Sequence, residues 1–175
     1  MNKILNIVFI FFVIVKSLGQ NNPDFSTIIE SLLTVNITEA NKNSKLLPDS
    51  IEKQLVQWHI DTYNYGITDS IVPNKSTNKP SLYNILQLIK EADIALSKYN
   101  RKDSLALEKY SLALDHAKTI KDTAFIRFTY YKLLPFFFKN KQALDKLTRH
   151  TNQFKNYIKT PTDEAMYAYL SIIHI

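Results

Sequence analysis

The chain has 175 residues, 45% of them hydrophobic, and a formal net charge of +6 at pH 7. This length and apolar content suit one folded domain with a buried core. Cysteine is absent and glycine occurs only twice, which excludes disulfides and thiolate metal sites and leaves almost nothing for glycine-rich phosphate loops. Strand-type alternation is scarce as well, so the sequence predicts an all-α fold.

The first residues have the three-part layout of a secretory signal peptide. Lys3 supplies a basic start, residues 4 to 15 are apolar except for Asn6, and small residues precede Gln20. The pattern predicts a signal peptide over residues 1 to 19, with cleavage after Gly19. An uncleaved membrane anchor is the alternative, but the apolar run is shorter than the roughly 20 residues that a membrane-spanning helix needs. We therefore expect an exported protein of the periplasm or cell envelope, or a secreted one.

An amino-terminal helical segment follows over residues 20 to 66. Asn22 and Pro23 are typical helix-start residues, and they predict a first helix that runs through Val35. Residues 67 to 80 are polar and bounded by prolines, so we expect a linker or an exposed loop there.

The second predicted helix of the amino-terminal segment starts at Asp49. Glu52 lies three residues later, as in a capping box, and Gly66 can end the helix. Between them, apolar residues fall near one face, namely Ile51, Leu55, Trp58 and Tyr63. This face is expected to pack against another part of the chain.

After the linker, the apolar pattern becomes denser and predicts five consecutive helices. They cover approximately residues 81 to 99, 103 to 120, 122 to 138, 141 to 158 and 160 to 175. Connections of a few residues make successive helices antiparallel neighbours. Residues 81 to 175 are therefore predicted to form helical hairpins in series.

These hairpins repeat in sequence. At an offset of 37 residues, Ala106 aligns with Ala143, and Leu96 aligns with Leu133 and then with Leu170. The same offset relates other positions, including the pairs Leu107 with Leu144 and Tyr130 with Tyr167. One spacing thus accounts for two units and the first helix of a third.

The residues at these positions resemble the tetratricopeptide repeat family. The first-helix pattern of aromatic and leucine residues is matched by Tyr130, Leu133, Leu134 and Phe137, and the second-helix pattern by Ala106, Tyr110 and Ala113. The resemblance implies antiparallel hairpins stacked as an α-solenoid, whose concave side holds a protein or peptide partner. Together with the predicted export, it suggests the sensory amino-terminal part of a bacterial envelope signalling protein.

The sequence also departs from the family pattern. Leu134 stands where a small residue is expected, and Leu147 and His150 replace the aromatic and the alanine of a second helix. The spacing is 37 residues, whereas the family repeats at about 34. A generic helical bundle therefore remains the alternative.

No catalytic or metal-binding constellation is present in the sequence. The four histidines lie on separate predicted helices, and Asp115 beside His116 points in another direction. Nucleophile elbows, phosphate loops and dinucleotide fingerprints are missing. We expect no cofactor, no metal and no enzymatic activity of these residues. Because basic residues alternate with acids, we also expect no nucleic-acid groove; the mild basicity suits an anionic surface better.

Three residues are the candidates for contact with a partner: Lys98, Arg127 and Tyr131. Arginine and tyrosine give contact area and orientation on the concave strip of a helical array. Nearby Pro135 removes a backbone hydrogen bond, and we expect it to bend or tighten its helix.

The end of the sequence has no polar capping helix after residues 160 to 175. Thr160, Pro161 and Asp163 form a good helix start, but the segment then ends in an apolar run. We expect a longer protein with further parts, among them a membrane helix and an output domain. Two alternatives remain: the repeats are the substrate-recruiting front of a hydrolase or protease, or a small protein self-associates through its last helix.

Overall fold

The computed structural model describes residues 24 to 67, 79 to 97, 101 to 139 and 144 to 172. Within these ranges the chain forms eight α-helices, one short 3-10 helix and no strand, which confirms the predicted all-α class. The predicted signal peptide and the central part of the predicted linker lie outside the described residues.

Three helices form the amino-terminal segment, and a polar side chain caps the start of each. They are α1 (Phe25–Leu33), α2 (Ile37–Lys45) and α3 (Ile51–Tyr65). The capping oxygens accept from the backbone N–H three residues later, at 2.8 Å for Asp24 and 3.1 Å for both Asn36 and Ser50. Gly66 ends α3 with φ 82°, as the sequence predicts.

Several boundaries in this segment differ from the predicted ones. The cap of α1 is Asp24 and not Asn22, and the cap of α3 is Ser50, while the carboxylate of Asp49 lies 2.8 Å from the Lys53 ammonium. The helix α1 also ends at Leu33, two residues before Val35. Local hydrogen bonds decide these details, and neighbouring residues of similar type make them ambiguous in sequence.

The sequence does not predict α2 at all. Its residues are mostly polar, and the positions that it buries are Ala40, Asn43 and Ser44. Because these side chains are small or polar, they leave no apolar periodicity. The one available signal is the start, where the Asn36 side chain accepts from the backbone N–H of Glu39.

Five further helices follow, as the sequence predicts. They are α4 (Leu82–Ala95), α5 (Asp103–Ile120), α6 (Thr123–Lys139), α7 (Leu144–Phe154) and α8 (Pro161–Ile172), with a 3-10 turn, Lys155–Tyr157, after α7. Each of these helices packs against the next, and α4 also packs against α6. Since the connections are short, neighbours in sequence are neighbours in space.

The alanine face of α5 is buried between α4 and α6. Ala106, Ala113 and Ala117 are 0% exposed, and Tyr110 is 2% exposed. Alanine leaves room for the neighbouring backbones to come close, while the ring of Tyr110 fills the space that remains. Pro135 lies on the exposed side of α6, and the helix continues past it to Lys139.

The amino-terminal segment packs across the helices that follow it. The helix α1 lies against α6, and α3 lies against α4. The imidazole of His59 in α3 donates through Nε2 to the Leu86 carbonyl of α4 at 2.9 Å, and its ring meets Phe128 of α6 edge-on at 5.7 Å. Both parts of the chain therefore contribute to one hydrophobic core.

Candidate interaction surface

The structure places the three predicted partner-binding residues in different surroundings. Lys98 lies outside the described residues. Arg127 is 0% exposed, and Tyr131 is partly buried. Their role in binding a partner stays a prediction, but a ligand could reach the Arg127 guanidinium only by displacing groups of the chain itself.

Those groups are two carboxylates from opposite ends of the chain. The Arg127 guanidinium lies 2.5 Å from Glu30 of α1 and 2.8 Å from Asp163 of α8. Burial alone would lower the pKa of Arg127, but the hydrogen bonds to both carboxylates outweigh it and raise that pKa. Arg127 therefore stays charged and ties α1, α6 and α8 together.

Asp163 is held in place by the start of α8. Its carboxylate accepts from the backbone N–H of Lys159 at 2.9 Å and of Thr160 at 2.8 Å, and its own N–H donates to the Thr160 hydroxyl at 3.2 Å. Burial would raise the pKa of Asp163, but these hydrogen bonds and Arg127 lower it. The predicted helix start at Thr160 thus also positions the buried carboxylate.

A second polar cluster lies between α4, α5 and α6. The Asp93 carboxylate is 6% exposed; it accepts from the Tyr110 hydroxyl and lies 2.8 Å from the Lys132 ammonium. Lys132 also sits 5.8 Å from the ring centroid of Tyr63 at the end of α3. Burial and the Asp93 charge raise the pKa of Tyr110, so its hydroxyl remains a hydrogen-bond donor at neutral pH.

His59 lies at the centre of the contact between the amino-terminal segment and α4. Burial is the main reason that the pKa of His59 falls to about 4, and the Lys132 charge lowers it further. The imidazole is therefore neutral at physiological pH. The ring of Trp58, the residue before His59, has its centroid 5.1 Å from the Lys90 ammonium of α4. Trp58 and His59 therefore both face α4.

The side of α6 that faces the amino-terminal segment has a counterpart in α8. We call Arg127, Phe128, Tyr131 and Lys132 the α6 stripe; 37 residues later, Glu164, Ala165, Ala168 and Tyr169 form the α8 stripe. The α6 stripe is buried or partly buried, but every member of the α8 stripe is exposed. Tyr169 is 58% exposed, and the following Ile172 is 68% exposed.

In the part of the chain that the structure describes, no group of three or more histidine and acidic side chains could hold a metal ion. An open cleft of about 310 Å³ lies where α1 and α6 begin, lined by Asp24, Glu30, Asp122 and Lys159 among others. The Ser26 hydroxyl donates across it to Asp122 at 2.5 Å. These contacts join α1 to α6.

No helix within the described ranges has both the length and the apolar character needed to cross a membrane. Comparison with protein-family models finds no match, and neither the curated proteins nor the solved structures contain a significant match.

Sequence reasoning misses most of the residues that organise this surface. It selects Arg127 and Tyr131 but does not anticipate Glu30, which lies 97 residues from Arg127 along the chain. A lone acidic residue on an amphipathic helix is usually solvated, so nothing local marks Glu30 as a partner. In the sequence, Ala165, Ala168 and Tyr169 of the exposed α8 stripe are apolar residues at helical spacing, and such a pattern normally indicates a core face.

Proposed function

We propose that this chain is a non-enzymatic, exported scaffold for protein–protein interaction, built from stacked helical hairpins of the tetratricopeptide type. In this proposal it serves as the sensory part of a larger envelope signalling protein. A protein or peptide partner binds on the side of α8 that the amino-terminal segment leaves open.

The observation that carries the proposal is the agreement between the sequence repeat and burial on α5 and α7, the second helices of the proposed hairpins. At the offset of 37 residues, Tyr110 corresponds to Leu147 and Ala117 to Phe154, and all four side chains are at most 2% exposed. Each helix from α4 to α8 also packs against the next. Stacked repeats need such contacts, because each hairpin buries its apolar face against a neighbour.

The composition of the open side suits a peptide or a partner domain. The α8 stripe combines small residues, Ala165 and Ala168, with the aromatic Tyr169. Small residues let a partner backbone come close, and tyrosine gives contact area with few rotatable bonds. Tyr63 at the end of α3 is 39% exposed.

Site-specific photocrosslinking tests this proposal in the living host. A photoreactive phenylalanine analogue replaces Tyr169 of α8 in one strain. In a matched strain it replaces Leu112 of α5, which is 41% exposed. We expect one protein to be captured from position 169 and not from position 112, and the purified pair to bind in solution. Capture of the same proteins at equal yield from both positions would contradict the proposal.

Export is tested separately by cell fractionation and amino-terminal sequencing of the natural product. The proposal expects a chain that begins at Gln20 in the envelope or medium. A chain that keeps residues 1 to 19 and remains in the cytoplasm would exclude the exported scaffold.

A further inference from the structure

The turn between α1 and α2 contains a residue that does not suit its backbone. The turn has the Schellman pattern, in which the Asn36 N–H donates to the Ser31 carbonyl at 2.8 Å and one residue takes a left-handed conformation. That residue is Val35, with φ 56°. Glycine normally fills this position, because a β-branched side chain there crowds the backbone. The Val35 side chain is also 66% exposed.

The helix on the amino-terminal side of this turn is docked by a complete interface. Its side chains Ile28, Ile29 and Leu32 are 0% exposed, and Leu33 is 2% exposed. Its polar contacts include the Glu30 pair with Arg127 of α6 and the Ser26 hydrogen bond to Asp122, the residue before α6. The helix α1 therefore carries a specific binding face, joined to α2 by residues 34 to 36 alone.

The sequence of this region also permits an open form of the turn. No glycine or proline occurs from position 25 to position 45. Ile29, Leu33, Ala40 and Asn43 are all buried, and they follow one another at spacings of four, seven and three residues. In one continuous helix these side chains would lie along the same side. Opening the turn would relieve the strain at Val35 and keep the buried side continuous.

We propose that two copies of this chain associate by exchanging α1. In each copy α1 and α2 form one continuous helix, and α1 docks on α6 of the other copy. Glu30 of one copy then pairs with Arg127 of the other, and Ser26 of one with Asp122 of the other. The two Val35 side chains meet where the long helices cross, so an exposed apolar residue becomes buried in the dimer.

The equilibrium between the monomer and the exchanged dimer depends on the few contacts that differ between them. The contacts of α1 with α6 are the same within one chain and between two chains. The dimer is favoured by the release of backbone strain at two Val35 residues and by the new contact between their side chains. It is disfavoured by the loss of the Asn36 helix cap and by the entropy lost when two separate chains associate. Dimer formation is therefore expected to rise with protein concentration and to be slow, since α1 must leave its site first.

Exchange is detected directly by cross-linking two different single-cysteine chains. The natural chain has no cysteine, so each variant carries a single reactive thiol. Ser26→Cys and Asp122→Cys chains with tags of different length are mixed, unfolded and refolded together. The mixture is then treated with a short bismaleimide. We expect a mixed cross-linked product whose yield rises with concentration. A mixture of Ser26→Cys with Leu112→Cys chains is the control for random collision. Equal yields from both mixtures would overturn the proposal.

Variants of the turn provide a second test that leaves the docking face intact. Val35→Gly removes the backbone strain that favours opening of the turn. Because the dimer contains two such turns and each contributes about tenfold, the dimerisation constant should fall about 100-fold. Light scattering over a concentration series measures this change. Thr34→Gly lowers helix propensity without relieving the strain, and it should have a smaller effect. An equal effect of both variants, or a wild-type chain that is monomeric at every concentration up to its solubility limit, would overturn the proposal.

Discussion

The helices α6 and α8 occupy corresponding positions in the sequence repeat but differ in what covers them. On α6, the guanidinium of Arg127 and the ring of Phe128 are 0% exposed beneath α1 and α3. On α8, the corresponding Glu164 and Ala165 are exposed. In the amino-terminal segment, α1 packs against α6 and α3 packs against α4. Its Glu30 pairs with Arg127 of α6, which in turn pairs with Asp163 of α8.

This contrast shows that corresponding positions of the sequence repeat can have different surroundings in the fold. The α6 stripe closes the core, and both of its charged residues are paired: Arg127 with Glu30 and Asp163, and Lys132 with Asp93. The α8 stripe keeps the same helical register, but all four of its members are exposed. A surface for partners is thus expected where the intramolecular cover ends, and the following variants test that distinction.

The largest effect is expected from Arg127→Ala. The change leaves Asp163, which is 0% exposed, without its charged partner, and a broken buried ion pair typically costs about 3–5 kcal/mol. Urea unfolding measures the loss. Arg101→Ala is the matched control, because Arg101 pairs with Asp103 at the surface at 3.0 Å, and it should leave the unfolding midpoint unchanged. Similar midpoints for both variants would contradict the buried role of Arg127.

A tyrosine pair in the same register gives the next largest difference. Tyr130 is 0% exposed and packs near Phe154, Tyr157 and His150, whereas Tyr167, 37 residues later, is only partly buried. We expect Tyr130→Ala to lower the free energy of unfolding by about 3–5 kcal/mol and Tyr167→Ala by less than half of that. Equal losses in thermal or urea unfolding would mean that α8 is as well covered as α6.

The contact of α3 with α4 and α6 should make stability depend on pH. Unfolded His59 binds a proton below its ordinary pKa of 6.5, while the folded chain does so only below about 4. Between these values the unfolded state holds more protons, so stability falls as the pH falls. The loss between pH 7 and pH 4 is expected to be about 3 kcal/mol.

His59→Gln tests this effect, because the amide can still donate to the Leu86 carbonyl but does not titrate in this range. The variant should flatten the dependence of unfolding free energy on pH. His150→Gln is the control: burial also lowers the pKa of His150, but this residue is only partly buried and should contribute less. If His150→Gln flattened the pH dependence of the unfolding free energy more than His59→Gln does, the pH-sensitive contact would lie on α7 and not on α3.

The smallest change in stability is expected for Tyr169→Ala. Tyr169 is 58% exposed, and exposed substitutions usually change stability by less than about 0.5 kcal/mol. The same variant should abolish binding of the partner captured at this position, as measured with purified proteins. Retention of full affinity would show that the α8 stripe does not contact the partner.

The sequence predicts much of the fold and little of the surface. Helices α4 to α8 follow from strong periodicity and short connections, and the buried alanine face of α5 is anticipated residue by residue. The helix α2 escapes prediction because its buried side chains are small or polar. Arg127 stands out as a candidate for binding, but its pairing with Glu30 depends on how distant helices pack, and helical spacing does not encode that contact.

The covering of α6 and the exposure of α8 can be compared directly by cysteine labelling. Ala124→Cys in α6 and Ala165→Cys in α8 are mild substitutions in a chain without cysteine, and Ala124 is 4% exposed whereas Ala165 is exposed. We predict that a thiol reagent modifies the α6 variant at least about 100-fold more slowly than the α8 variant under native conditions, because the α6 site must first open. Equal labelling rates would contradict the account.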